Sequence, residues 1–370
     1  MLRFEPRPEP SRVMGFLSPI LAATVTLIVG VWLFWWLGKN PVDGLAVFFV
    51  EPVKSAYALS ELAVKATPLL LIALGLAVCF RSNIWNIGAE GQFILGAIFG
   101  GGVAIHATEQ SGRCVVALVL LAGALGGMLW AGIVALLRDR FQTSEILVSL
   151  MLVYVAEMLL GYLVYGPWKD PNGYNFPQTI TFPSPTQVPR LVAGYRANIG
   201  TPLALLFAAG FWVLVFRTYA GFQLQVGGLA PAAARYAGFS SRTALWTALL
   251  ISGAMAGLAG AFEVAGPLGQ LTPYVPAGYG FAAIIVAFVG RLHPAGIVLS
   301  SVLMSMFYIG GELAQSRLGL PKSVTGVFQG LLLFALLACD TLVQHRLRLV
   351  GAPSVRATAP VVSPETDGTR

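Results

Sequence analysis

Ten apolar stretches, most of them close to 20 residues long, occupy this chain between residues 16 and 341. About 20 apolar residues is the length an α-helix needs to cross the ~30 Å hydrocarbon core of a bilayer. The stretches are 16–37, 59–80, 86–106, 114–137, 143–165, 199–217, 243–265, 277–291, 294–314 and 323–341. They predict an all-α fold, a polytopic transmembrane helical bundle of about ten helices. The eighth stretch is short and joins the ninth through Gly290-Arg291-Leu292-His293-Pro294, which suits a broken or re-entrant pair as well as two full crossings.

Composition removes most other function classes. Hydrophobic residues make up 56% of the 370, charged residues only 11%, where a soluble domain carries about 25%. No stretch remains for a large soluble domain, so any catalytic or recognition domain belongs to a separate subunit. The net charge of +7 comes from basic residues scattered singly between apolar runs, a placement that sets membrane topology rather than binding nucleic acid. Cys79, Cys114 and Cys339, and likewise His106, His293 and His345, lack metal-ligand or disulfide spacing. No metal or cofactor is expected on this chain. The run 16–37 follows Arg3, Arg7 and Arg12 and exceeds the apolar core of about 7–15 residues of a cleaved signal peptide, so it reads as a retained anchor.

Placing the N-terminus inside puts 14 of the 23 Lys and Arg residues on the cytoplasmic side, most clearly in the short loop Arg138-Asp139-Arg140. Both termini are therefore expected in the cytoplasm, with an N-terminal tail over 1–15, one permeating domain over 16–341 and a disordered tail over 342–370. Residues 166–198, with six prolines, form a loop on the outer side, a stiff linker or a docking surface. Residues 218–242 fall inside and include Pro231-Ala232-Ala233-Ala234-Arg235-Tyr236-Ala237-Gly238. Proline at a helix start and glycine after its end describe a short capped helix on which a soluble partner could push.

Glycines recur at four-residue spacing within the stretches, as Gly96/Gly100, Gly123/Gly127, Gly253/Gly257 and Gly326/Gly330, a spacing that lets helix backbones approach closely in lipid. Glu90, Glu145, Glu157, Glu263 and Glu312 lie within or near the ends of stretches, with Asn83, Asn86, Gln92, Gln270 and Gln329. Ionisable groups there need a protein or water partner and are commonly pathway residues. For Glu90, capping of a helix break at Asn86–Gly88–Gly91 is favoured over solute contact. Glu157 lies deeper in its stretch and stays open, and Glu263 and Glu312 are placed near the outer interface. No carboxylate–base pair recurs at helical spacing, no phosphate-cradling Gly-x-x-x-x-Gly-Lys-Ser/Thr is present, and no nucleophile–base pair suggests an enzyme.

Phe80-Arg81-Ser82-Asn83-Ile84-Trp85-Asn86-Ile87-Gly88-Ala89-Glu90-Gly91-Gln92 resembles the signature of bacterial ABC importer permeases for branched-chain amino acids, ribose-type sugars and nucleosides. Two further blocks are similar, Gly227 to Gly238 and Gly280-Phe281-Ala282-Ala283-Ile284-Ile285-Val286-Ala287 with Gly290-Arg291 and Pro294-Ala295-Gly296. Tyr165 to Pro171 and Asn175 to Thr179 look most like the nucleoside, or simple-sugar, branch. The resemblance implies a permease subunit in a bacterial inner membrane, working with a second related permease, an ATPase subunit that uses ATP, and an extracytoplasmic solute-binding protein. It makes Pro231, Ala234, Arg235, Tyr236 and Gly238 the coupling helix for the ATPase, and it gives Asn86, Glu90 and Gln92, with Glu157, to the solute pathway. The alternatives are an ATP-independent secondary transporter or channel, and a purely structural membrane subunit.

Overall fold

The computed structural model describes residues 2–6, 12–321 and 323–349. Thirteen helices run in the order α1 Arg12–Trp36, α2 Pro41–Phe49, α3 Ala56–Arg81, α4 Ala89–Ile105, α5 Val115–Phe141, α6 Glu145–Tyr165, α7 Gly200–Arg217, α8 Tyr219–Leu229, α9 Pro231–Tyr236, α10 Ser241–Glu263, α11 Tyr279–Val289, α12 Pro294–Leu318 and α13 Ser323–Gln344. Seven are long and apolar enough to cross a membrane, and α4, α11 and most of α13 are shorter apolar helices. These ten coincide with the ten stretches read from the sequence. The helix count exceeds the expected ten because α2, α8 and α9 lie between spans.

The fold is the expected helical bundle, with two short strands added at its ends. β1, Leu2–Pro6, pairs antiparallel with β2, His345–Leu349, in the register Leu2↔Leu349 to Pro6↔His345. Five-residue runs are too short to register in a hydropathy pattern sized for helices. Their pairing brings the segments before α1 and after α13 to the same end of the bundle. Residues 7–11 and 350–370 of the expected tails lie outside the described residues.

Helix starts follow from local chemistry. Asn40, Ser55, Thr218 and Ser240 each accept a hydrogen bond from a backbone N–H in the first turn of the following helix, satisfying donors that the helix itself leaves orphaned. Pro41, Pro231 and Pro294 occupy first positions, where the missing N–H costs nothing.

At the centre stand α3 and α10, mostly buried, while less than a third of each apolar span in α1, α5, α6 and α7 is enclosed. Glycines bring α4, α5 and α10 together: a Cβ added at Gly96 would lie 2.1 Å from the Gly257 carbonyl oxygen, one at Gly127 2.1 Å from that of Gly253, and one at Gly257 2.2 Å from that of Gly123. In lipid such backbone proximity supplies the dispersion contact that holds helices together. The fourth pair departs from expectation. Gly326 and Gly330 have no atom within 4 Å of an added Cβ; both are exposed on α13, Gly326 where it borders a cavity beside α11 and α12.

A knot of phenylalanines holds the outer helices. Phe34 of α1 and Phe48 of α2 lie 5.7 and 4.9 Å, between ring centroids, from Phe328 of α13, and Phe307 of α12 lies 6.0 Å from it. At the same end, Glu51 pairs with Lys54 at 3.2 Å and with Arg317 of α12 at 3.3 Å. The Lys54 hydrogen bond, with Arg317 beside it, holds the Glu51 carboxyl below the usual carboxylate range.

Residues 166–199 are laid across that end as a cap rather than a free linker. Thr179, Phe182 and Val188 donate backbone hydrogen bonds to the carbonyls of Leu271, Gly269 and Ala265, and the Phe182 and Val188 side chains are buried. Arg196 pairs with Glu61 of α3 at 3.2 Å.

The two kinds of glycine predict different mutational costs. Gly257→Leu forces α10 away from α5 and is expected to destabilise by about 1–3 kcal/mol or more, seen as a lowered melting temperature and loss of the monodisperse peak in detergent. Gly330→Leu adds a side chain to open space and leaves both unchanged.

Candidate translocation pathway and coupling surface

The helix α11 has 11 residues, which at about 1.5 Å each cover roughly half of a ~30 Å core. Residues 269–278 reach its start without helical structure, apart from turns. Its first N–H groups therefore open inside the bundle, where water cannot satisfy them. Glu90, in the first turn of α4 and 1% exposed, meets them: one carboxylate oxygen accepts from the Gly278 N–H at 2.9 Å and the other from the Gly280 N–H. The positive end of the helix dipole and two charge-assisted bonds compensate the buried carboxylate. Glycine is required at 280, since an added Cβ would fall 2.2 Å from the Glu90 nitrogen.

Glu90 does cap a broken element, but a distant one. The break expected at Asn86–Gly88–Gly91 is held by Asn86 itself. Its amide nitrogen donates to the Gln92 side-chain oxygen at 3.0 Å and to Ser252 Oγ of α10 at 2.9 Å, while its oxygen accepts from Gln92 at 3.1 Å and from the Gly88 N–H at 3.2 Å. Asn86 and Gln92 are fully or almost fully buried. Of the four pathway candidates, three thus sit together in packed polar links from α4 to α10 and α11. Glu157 stands apart on α6, half-buried on the same face as the exposed Tyr154 and Met158.

Beside this junction the fold assembles a cavity of mixed apolar and polar lining that the sequence did not announce. Phe281 of α11, Tyr308 and Glu312 of α12, and Ser323, Thr325, Gly326 and Gln329 of α13 line about 430 Å³, together with Ala277 and Gly278 from the segment before α11. Lys65 of α3 pairs with Glu312 at 3.2 Å and donates to the Tyr279 hydroxyl at 3.1 Å. Tyr308 donates to the Ala277 carbonyl at 3.2 Å. The expectation that Glu263 and Glu312 reach the interface needs correction for Glu263, which is buried; Glu312 is 56% exposed and pairs with Lys65. Helical spacing along one segment could not reveal a pair brought together from α3 and α12.

At the opposite end, α8 and α9 form a surface. Pro231, Arg235, Tyr236 and Gly238 are exposed, Tyr236 almost completely, while Ala234 is buried on the inner side. Gly238 takes φ +80° and ends the helix. The end of α8 rests on the segment after α3: a Cβ at Gly228 would lie 2.5 Å from the Arg81 carbonyl oxygen and 3.0 Å from the Asn83 nitrogen. Arg81 in turn donates through Nε to the Leu292 carbonyl at 2.9 Å, in the turn between α11 and α12. Nearby, Asp139 of α5 pairs with Arg242 of α10 at 2.8 Å, and Arg138 pairs with Glu145.

Residues 58–337 match the family described as the permease component of branched-chain amino acid transport systems. The chain belongs to this family. Relatives of nearly the same length extend the match. The permease protein TsgB13 of a glucose ABC transporter from Haloferax volcanii is 32% identical over 94% of this chain and 93% of its own. The guanosine ABC transporter permease NupP of Bacillus subtilis is 29% identical, over 85% and 91%. The nucleoside ABC transporter permease NupB of Lactococcus lactis is 26% identical, over 86% and 89%. The permease is thus a multi-pass subunit of an ABC transporter in the cytoplasmic membrane, and such subunits work with an ATPase and a solute-binding component.

If Glu90 holds α11 as described, Glu90→Leu leaves two buried N–H groups without an acceptor, at about 1–3 kcal/mol each. Glu90→Gln keeps one acceptor and loses less. Thermal unfolding of the purified complex should rank wild type, Gln and Leu in that order, and equal melting temperatures would remove the assigned role.

Proposed function

We propose that this permease carries a nucleoside or simple sugar inward by alternating access, driven by separate ATPase subunits, with α9 as the coupling helix and the end bearing α9 and the chain ends in the cytoplasm. The observation that carries the reading is the unbroken line of contact from an exposed helix to an intramembrane break. The α8–α9 unit leans on residues 81–83 through Gly228, and the same segment leads into the Asn86–Gln92–Ser252 network and on to Glu90, which holds the start of α11. A displacement of α9 therefore reaches the cavity beside α11 through packed backbone and buried hydrogen bonds, not through mobile side chains.

The energetics are those of a population shift. ATP binding favours one arrangement of the paired ATPases, and α9, seated in a groove of each, biases the bundle toward outward-open or inward-open by the difference in affinity between the two states. Release after hydrolysis reverses the bias. The solute needs only weak contacts in the permease, since tight binding would trap it. The cap over 166–199, with Tyr174 and Phe176 exposed at its surface, is the docking face for the extracytoplasmic binding protein.

A second, related permease subunit completes the pathway. Glu157 supports this: among the described residues no hydrogen bond or ion pair reaches its carboxylate, yet it lies within a span, where a charged group left facing lipid is costly. An adjoining permease would cover the α6 face and supply its partner. A secondary transporter without ATP has the Lys65–Glu312 pair in its favour, but gives α9 no task.

Pull-down of the tagged protein from its native membrane, followed by uptake into vesicles, tests the reading. An ATPase, a second permease and a binding protein should co-purify, and uptake should require internal ATP; solute flux by this chain alone without ATP would sink it. Arg235→Glu places a carboxylate on the exposed coupling face, and Ala234→Pro removes the hydrogen bond from the Ala234 N–H to the Ala230 carbonyl. Both are expected to abolish uptake while the bundle keeps its melting temperature, and normal uptake in both would withdraw α9 as the coupling helix.

A further inference from the structure

The start of α11 is gripped by two contacts of unlike kind. Glu90 holds the Gly278 and Gly280 N–H groups from a carboxylate that is 1% exposed. Lys65 of α3 holds the Tyr279 hydroxyl at 3.1 Å and Glu312 of α12 at 3.2 Å. Breaking the first would strand buried donors and a buried charge, which is too unfavourable to recur in every cycle of a transporter. The second sits at the edge of water. The Lys65 side chain is 22% exposed and that of Glu312 56%, so water takes up both charges as they part and little stability is lost.

An ammonium that leaves one partner within a span needs another, and α3 carries it. Glu61 stands one helical turn before Lys65 on the same helix, the order and spacing in which a glutamate and a lysine meet best on a helix surface. One oxygen of its carboxylate, Oε2, accepts from Arg196 of the cap at 3.2 Å. The other, Oε1, is buried and has no hydrogen-bond partner among the described residues. An enclosed carboxylate oxygen left unmet is unfavourable, and helical spacing puts a flexible four-carbon lysine stem beside it. Glu263 of α10, buried, acts electrostatically on both Lys65 and Arg196, so the ammonium moves among carboxylates throughout.

We propose that Lys65 is a two-position switch at the cap end of the seam between α3 and the α11–α12 pair. In the position seen here it closes the seam through Glu312 and Tyr279; in the other it turns back to Glu61 Oε1 and the seam parts. The remaining contacts make the motion a hinge. Tyr308 keeps the Ala277 carbonyl on α12, and Arg81, at the far end of α3, keeps the Leu292 carbonyl in the turn between α11 and α12. The cap end alone is therefore free to part, with Glu90 as the point about which the start of α11 turns. This rests on the importer reading above and assigns the residue that selects between its two arrangements.

The test uses the complete complex, with ATPase, second permease and binding protein, in proteoliposomes, and reads the rate of ATP hydrolysis. Each carboxylate favours one position of Lys65. Glu312→Gln and Glu61→Gln should therefore move the rate in opposite directions, each by about threefold, the size expected of a partly exposed ion pair. In Lys65→Met neither glutamine should add a further effect, because both act through the ammonium, and in Lys65→Arg both effects should persist. A merely structural role would instead lower the rate in every variant together with the melting temperature. Co-purification of all subunits verifies assembly, and Lys65→Gln serves where Lys65→Met does not assemble. Changes of the same sign in the two glutamine variants, no change in either, or a Glu61→Gln effect that survives in Lys65→Met and so runs through Arg196, overturn the switch alone. A chain that co-purifies with no ATPase overturns the importer reading, and the switch with it.

Discussion

A helix that begins halfway across a bilayer has to hand its first N–H groups to another part of the protein, because no water is present to take them. In this permease the hand-over is made by Glu90, which accepts from Gly278 and Gly280. Much else follows from that contact. It permits α11 to be short, and so permits residues 269–278 to enter the bundle and border a cavity. It also fixes the start of α4 to the start of α11, so the two interrupted helices meet and cannot move independently. The glycine contacts among α4, α5 and α10 then supply the rigid mass against which such a junction can act.

The two ends of the bundle are consequently built on different physical terms. On the α9 side, segments are held by backbone contacts and by ion pairs between helices, as in Asp139–Arg242 and the Arg81–Leu292 bond. On the other side, a proline-rich cap is tied down by hydrogen bonds to residues 265–271, and a phenylalanine knot locks α1, α2, α12 and α13 together. Between them lie the few buried polar links that connect motion at one surface with shape at the other. The alternating access proposed above calls on this arrangement: stiff ends, with a small number of well-satisfied polar contacts where they join.

Much of the fold was legible in the residues because hydropathy is a local property. The seven helices of spanning length, the three shorter apolar ones and the capped helix at Pro231–Tyr236 could be read from runs, prolines and glycines along the chain. The short helix α2 and the terminal strands could not, since nine or five residues fall below the length at which apolar pattern is distinctive. The site was legible only where one segment carried it. Asn86, Glu90 and Gln92 stood out as polar residues in an apolar stretch, but their partners Ser252, Gly278 and Gly280 come from α10 and from the start of α11. Lys65, Tyr279 and Tyr308 went unread for the same reason: nothing in their own helices marks them, and only the packing of α3, α11 and α12 brings them to one place. Gly326 and Gly330 show the converse, a motif with the right spacing on a face that packs against nothing in this chain.

The pairing of β1 with β2, and of α1 with α13 through Phe34 and Phe328, has a consequence for biosynthesis. The ribosome delivers α1 first and α13 last, yet each is the other's neighbour. While the chain is being made, Phe34 has Phe48 of α2 beside it at 5.9 Å but not Phe328, and the β1 edge has no partner, so the helices that follow insert and pack before α13 reaches α1. Closure of the ring of helices is therefore a late event, completed only when the last span has left the insertion machinery. A chain that stops before α13 would carry a finished centre and a first helix packed on α2 alone, with the face that α13 covers left open.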